Sequence, residues 1–269
     1  MHPFLFHLGS FKLPTYGLMT AIGLLLSTAY LLSLSGRMAI PREKLSDLIF
    51  AAAISGFAGG KLFYVLTYWR DLGPDFAGKI KTILVTLPYG FVFYGGFLCA
   101  ALTVFIWVRR QRLEFLMLAD YFAPALALGH VFGRLGCFFA GCCHGRPTGS
   151  FLGVTFSSPQ AMVNPACLGI PIHPTQLYEA AGNFMIFLAL NAFVNKRTVS
   201  GRAPAGIVFA AYIFLYSVLR FIIEFYRGDD RGVFHLGLSP AQGLSAILAV
   251  SSVVLALALL NNSGRATRA

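Results

Sequence analysis

The sequence predicts an all-α, polytopic membrane protein of about seven transmembrane helices, and three observations carry that prediction. Of 269 residues, 57% are hydrophobic and 12% charged, with a mean hydropathy of +0.71, whereas soluble domains run near about 25% charged. The apolar residues fall in stretches long enough for the ~20 helical residues that cross a hydrocarbon core. The basic residues concentrate in short turns between those stretches.

The first stretch, Tyr16 to Ser33, follows a segment with neither a basic n-region nor a small-residue cleavage site, so it is expected to be a retained span. The second runs from Leu48 to Tyr68, and its Gly56 and Gly60 have the four-residue spacing that lets helices approach closely. Phe91 to Val108 forms the third. In the fourth, Leu116 to Gly133, His130 interrupts the apolar run, while Gly129 and Gly133 repeat the small-residue spacing. Leu177 to Val194, Ala205 to Phe225 and Ala241 to Leu260 complete the seven. With no tandem repeat and no separable soluble stretch, residues 1–269 read as one transmembrane domain. A Gly- and Pro-rich loop over residues 134–176 is expected to cover the mouth of the bundle.

Alternate turns differ in charge. One set carries Arg37, Arg42, Lys44, Arg109, Arg110, Arg112, Lys196, Arg197, Arg202, Arg265 and Arg268. The longer opposite connections carry Lys12, Arg70, Lys79, Lys81, Arg134, Arg146, Arg227 and Arg231. Basic residues concentrate on cytoplasmic loops, which puts the N-terminus outside and the C-terminus in the cytoplasm. A net charge of +11 scattered in this way forms no stripe for nucleic acid, so no nucleic-acid partner is expected. Five cysteines, an odd number, do not read as a disulfide framework.

Six motifs then fall at the ends of apolar runs: Tyr94-Gly95-Gly96, Gly133-Arg134-Leu135-Gly136, Gly141-Cys142-Cys143-His144-Gly145, His173-Pro174-Thr175-Gln176-Leu177-Tyr178-Glu179, Arg220 to Glu224, and Arg227. Alternation of the spans gathers them at one membrane face. Arg220 and Glu224, four apart, share a helical face, and charge inside a membrane is costly enough to point to function or to a buried pair that fixes packing. Arg227 continues that face, and Arg134 would complete a cluster of three guanidinium groups suited to phosphate oxygens; snorkelling to lipid phosphates is the plainer reading. Lys61, inside the second stretch, needs an anionic partner, for which Glu179 and Asp120 are candidates. His173 or Thr175 is placed to cap the fifth helix, with Pro174 where a helix start tolerates it. The spacing of Cys137, Cys142, Cys143 and His144 differs from the usual C-x2-C of structural zinc sites and leaves metal binding, nucleophilic or redox chemistry, and plain packing open. Histidine is the side-chain type best suited to proton transfer near neutral pH, which singles out His144 beside the arginine-rich mouth.

In this order, these residues resemble the prolipoprotein diacylglyceryl transferase family over nearly the whole chain. Tyr16-Gly17-Leu18-Met19, Gly59-Gly60-Lys61, Gly95-Gly96-Phe97, Asp120 to Pro124 with Gly133 to Gly136, His173 to Glu179 and Arg220 to Arg227 are the matching blocks. The resemblance implies a bacterial inner-membrane enzyme, with its site toward the outer leaflet, that moves a diacylglyceryl group from phosphatidylglycerol to the lipobox cysteine of a prolipoprotein. Its implied partners are phosphatidylglycerol, the prolipoprotein signal peptide and membrane lipid; no cofactor and no metal are expected. Arg134, Arg220, Glu224, Tyr94 and His144 are the expected catalytic residues. Tyr16, Arg134, Cys137, Gly145, His173, Gln176, Glu179 and Arg227 are expected to contact substrate. The chain departs from the family pattern where Tyr94 replaces a histidine, and where Cys137, Ala140 and Cys142 stand in a signature that elsewhere holds two asparagines and a glutamate. A related transferase with another acceptor and a silent lipid-binding protein are the alternatives.

Overall fold

The computed structural model describes residues 3–8, 11–87, 90–200, 203–229 and 237–266. Arg202, Arg231 and Arg268 of the basic connections lie outside them. Seven helices are long and apolar enough to cross a membrane: α1 (Thr15–Ser33), α3 (Arg42–Thr67), α5 (Phe93–Arg110), α6 (Phe115–Ala140), α7 (Thr175–Ser200), α8 (Ile207–Glu224) and α9 (Pro240–Ala266). They coincide with the seven predicted stretches. Two short helices, α2 (Ser35–Met38) and α4 (Phe76–Val85), a 3-10 turn at Pro165–Cys167, a hairpin of β1 (Phe4–Leu8) and β2 (Phe11–Pro14), and a two-residue pair β3 (Val154–Thr155) and β4 (Pro171–Ile172) complete the elements of the described residues. Large apolar side chains such as Leu25, Phe50 and Ile247 stand exposed along the spans, as helices that face hydrocarbon require.

The chain divides into two compact units, residues 35–115 and residues 1–34 with 116–269. In the first, α3 and α5 pack through glycine. A Cβ on Gly95 would collide with the Phe63 side chain and lie 2.7 Å from the Gly59 carbonyl oxygen, and one on Gly96 would lie 2.9 Å from the Gly56 oxygen. The predicted small-residue spacing in the second span therefore has a physical function here. Lys61 donates to the Thr86 carbonyl oxygen at 2.6 Å and its Oγ1 at 3.0 Å, binding the end of α4 with its ammonium 4.9 Å from the Tyr64 ring centre.

The second unit holds α1 and α6 to α9. Its apolar centre is Ala123, Ala127, Ile186, Leu190, Val194 and Val208, from α6, α7 and α8. Asp120, buried in α6, accepts from the Gly206 and Phe209 amides, each at 2.8 Å, and so satisfies donors at the start of α8. Gly129 approaches α1, where an added Cβ would lie 3.1 Å from Ser27 Oγ, but an added Cβ on Gly133 would meet nothing within 4 Å. The spacing prediction thus holds for Gly129 and fails for Gly133.

Helix α6 continues to Ala140, so Arg134 lies within it and not at its end, and the connection that follows begins at Gly141. That connection builds a small core of its own from Phe156, Val163 and Ile172, with Phe138 of α6 packed against it.

Candidate active site

Four positions at helical spacing on α8, Tyr212, Tyr216, Arg220 and Glu224, bring polar groups down one face of an apolar helix. Arg220 Nη2 meets Glu224 Oε2 at 2.6 Å, with both side chains almost fully buried. Glu224 Oε1 accepts from Ser239 Oγ at 2.8 Å. Ser239 in turn exchanges reciprocal hydrogen bonds with Gln242, backbone to side chain at 3.0 and 3.2 Å, as the first residue of a capping box that starts α9. The helix start thus fixes the carboxylate that fixes the arginine.

Opposite this face, Arg134 Nη2 of α6 pairs with Glu179 Oε1 of α7 at 2.9 Å. The same oxygen accepts from the Tyr216 hydroxyl at 3.3 Å and lies 4.0 Å from His130 Nε2. The His130 and Tyr216 rings pack at 5.0 Å, and both groups lie within electrostatic reach of Arg134 and Arg220. A buried guanidinium is tolerated in an apolar helix only with such a partner. Thr175, Gln176, Glu179 and Asn183 are all fully buried on α7, and Asn183 Nδ2 donates to the Glu179 carbonyl at 2.8 Å. Sequence reasoning missed His130, Tyr216, Asn183 and Ser239. The four-residue ladder from Tyr212 to Glu224 and the Ser-Pro-Ala-Gln start of α9 were the signals available.

Arg227 differs from its prediction. Helix α8 ends at Glu224, so the spacing from Arg220 no longer sets its direction. Arg227 forms a two-pronged pair with Asp229, both contacts at 2.7 Å. Burial opposes its charge, but Asp229 first and then Cys143 more than offset this, raising its pKa so that it stays a cation. Hydrogen bonding with Cys137 and Cys142, aided by Arg227, holds the Cys143 thiol well below its ordinary range, while bonding to Cys137 and Cys143 pushes Cys142 well above it.

The loop residues have mostly structural assignments. His144 is buried; its Nε2 accepts from the Asn164 amide at 3.1 Å, so Nδ1 carries the hydrogen and donates to the Gly145 carbonyl at 2.9 Å. Both ring nitrogens are committed to backbone, so His144 latches the loop. His144→Ala is expected to lower thermal stability by about 1–3 kcal/mol, the usual cost of orphaned buried groups; a melting temperature equal to that of the parent protein refutes the latch.

Gly145 sits where strands of loop cross: its amide donates to the His173 carbonyl at 3.0 Å, and an added Cβ would lie 2.5 Å from that oxygen and 2.7 Å from the Tyr226 oxygen. Only glycine fits there. Thr175 Oγ1 donates to the Cys143 carbonyl at 2.9 Å and Gln176 Nε2 to that of Cys142 at 2.7 Å. The Thr175 hydroxyl therefore holds the loop instead of capping its own helix. His173 Nδ1 lies 3.2 Å from the Tyr178 hydroxyl, and its ring stacks edge-on at 5.2 Å from Tyr226. Tyr16, half exposed, begins α1 against α6; a Cβ on Gly136 would lie 3.1 Å from its ring. Cys137 stands one turn beyond Arg134 and feels its charge. Tyr94 belongs to the unit of residues 35–115, exposed on the first turn of α5 with its ring 5.8 Å from Phe93.

One feature of the arginines bears on chemistry. Among the described residues, Arg134 Nε, Arg220 Nη1 and Arg227 Nη1 are buried and make no hydrogen bond. Native proteins rarely leave buried donors unmatched, least of all on three guanidinium groups of one site.

Residues 3–258 match the prolipoprotein diacylglyceryl transferase family. The chain belongs to that family. It is 35% identical to the phosphatidylglycerol–prolipoprotein diacylglyceryl transferase of Clostridium tetani, over 91% of this chain and 92% of that protein. It is 33% identical to the transferase of the same name from Photobacterium profundum, over 95% and 92%. The one from Geobacter sulfurreducens is 34% identical, over 85% and 83%.

Proposed function

We propose that this chain transfers a diacylglyceryl group from phosphatidylglycerol to the cysteine thiol of a prolipoprotein, the first step of bacterial lipoprotein maturation. The observation that carries the reading is the set of unmatched, buried guanidinium nitrogens on Arg134, Arg220 and Arg227. They supply what a phosphodiester needs as it becomes a leaving group, donors preset where negative charge grows. The names of the relatives supply the donor and the acceptor.

The acceptor sulfur forms a bond to the terminal glyceryl carbon as the bond from that carbon to the phosphate oxygen breaks. Its electron pair leaves with glycerol phosphate, and in the net reaction the thiol proton ends on the departing phosphate. Arg134 and Arg220 receive the phosphate oxygens. Glu179 and Glu224 aim them and hold their charge in the apolar interior. Tyr16, Cys137, His173, Gln176 and Arg227 border the acceptor and headgroup, and Gly145 and His144 keep the loop in place. With His144 committed to backbone, Tyr94 and Glu224 remain the sequence candidates for assisting proton removal.

The chain is a multi-pass membrane protein. The family resemblance implies a bacterial inner membrane, and the distribution of basic loops supports an N-terminus outside, a C-terminus in the cytoplasm and a site toward the outer leaflet. The substitutions Cys137, Ala140 and Cys142 favour a second reading, transfer to a different acceptor. A host depleted of its own transferase and expressing this chain is expected to regain lipid-modified lipoproteins by mass spectrometry. Normal membrane expression without modification refutes the reading; glycerol phosphate release without peptide modification selects the second.

A further inference from the structure

We propose that Cys137, Cys142 and Cys143 form a three-thiolate site for a thiophilic cation, zinc(II) in the first instance, with a fourth position open to an incoming thiol. The cluster is the one group of potential metal ligands that the described residues bring together, with all three Sγ atoms within 4.8 Å of one another. Some point then lies within about 2.8 Å of every sulfur, and a contraction of about half an ångström reaches the zinc–thiolate bond of about 2.3 Å. Cysteines at C-x4-C-C spacing do not announce such a site in sequence; the fold makes it.

Helix α6 carries Cys137 in its last turn and stops at Ala140. Gly141 at φ +84° and Cys143 at φ +62° reverse the chain, the latter a left-handed conformation that a side chain rarely adopts. Gln176 and Thr175 then hold the Cys142 and Cys143 carbonyls. The ligand backbone is therefore fixed before any ion arrives, which preorganises the site.

Charge and ligand number agree. Three thiolates and a dication sum to one negative charge, and the guanidinium groups of Arg227 and Arg134 lie within electrostatic reach of the cluster. His144, next in the chain, has both nitrogens engaged with backbone and offers no fourth ligand. Three protein ligands leave a position open, as in catalytic and not structural zinc sites. A thiol bound there would be held as the thiolate, its proton released to water. That this thiol is the prolipoprotein cysteine rests on the transferase reading above; the metal site itself does not.

The test uses the full chain, purified in detergent under reducing conditions with a tag free of histidine and cysteine. One zinc per chain is expected by elemental analysis, and cobalt(II) exchanged for it is expected to give intense sulfur-to-cobalt absorption. Addition of a short cysteine peptide is expected to strengthen that absorption. Cys142→Ser and Cys143→Ser are expected to lose the metal, whereas Cys99→Ser and Cys167→Ser, outside the cluster, keep it. Parent protein with five titratable thiols and no bound metal overturns the proposal without relying on any variant. So does metal that survives the Cys142 and Cys143 substitutions, or a cobalt spectrum unchanged by peptide. Transfer activity is assayed separately: an active, metal-free chain removes this site and leaves the transferase reading standing.

Discussion

Arg220→Ala is expected to lower turnover by about 10²–10³-fold, and Arg134→Ala by a similar factor, the usual effect of removing one preset donor from a developing anion. Each arginine has a buried partner on one side and an unmatched buried nitrogen on the other, so alanine removes both a support and a phosphate donor. Arg220→Lys separates the two. Lysine restores the charge opposite Glu224 but cannot present two parallel N–H groups, so stability is expected to return while most of the rate loss remains. The measurement is thiol modification of a lipobox peptide in phosphatidylglycerol micelles, on variants matched for monodispersity and melting temperature. Full turnover in folded Arg220→Ala eliminates the phosphate-binding assignment.

The seven spans were legible because burial in lipid leaves a one-dimensional signal, a run of apolar residues of fixed length. Where a tertiary contact decides, that signal ends. The fourth apolar stretch runs to Gly133 with Arg134 next to it, yet Glu179, far along the chain on α7, pairs with the arginine and the helix runs on to Ala140. Arg227 was placed on the Arg220 face by continuing a helix that in fact ends at Glu224, which frees it to pair with Asp229. His144 is a proton-transfer candidate by residue type alone, but two backbone contacts from the loop around it fix its tautomer. The site residues themselves were found because polar groups in apolar runs are rare; their partners were not, because pairing across helices has no sequence period.

Glu179→Ala is expected to be the most destabilising single change in the site, at about 3–5 kcal/mol, the range for breaking a buried pair and leaving its partner charged. Glu179 is fully buried, and one oxygen serves Arg134, Tyr216 and the approach of His130. Its loss strands the Arg134 guanidinium in an apolar helix. If the cost is that stranded charge, removing both charges relieves it: Glu179→Leu with Arg134→Met is expected to recover most of the melting temperature lost in Glu179→Leu alone, since apolar replacement of a whole pair is often neutral. The same double variant is expected to be inactive, because no guanidinium remains at that position to meet phosphate. Stability would then follow the pair while activity follows the arginine. A double variant as unstable as the single refutes the charge argument and assigns the cost to lost packing, and a double variant that still modifies peptide removes Arg134 from the reaction.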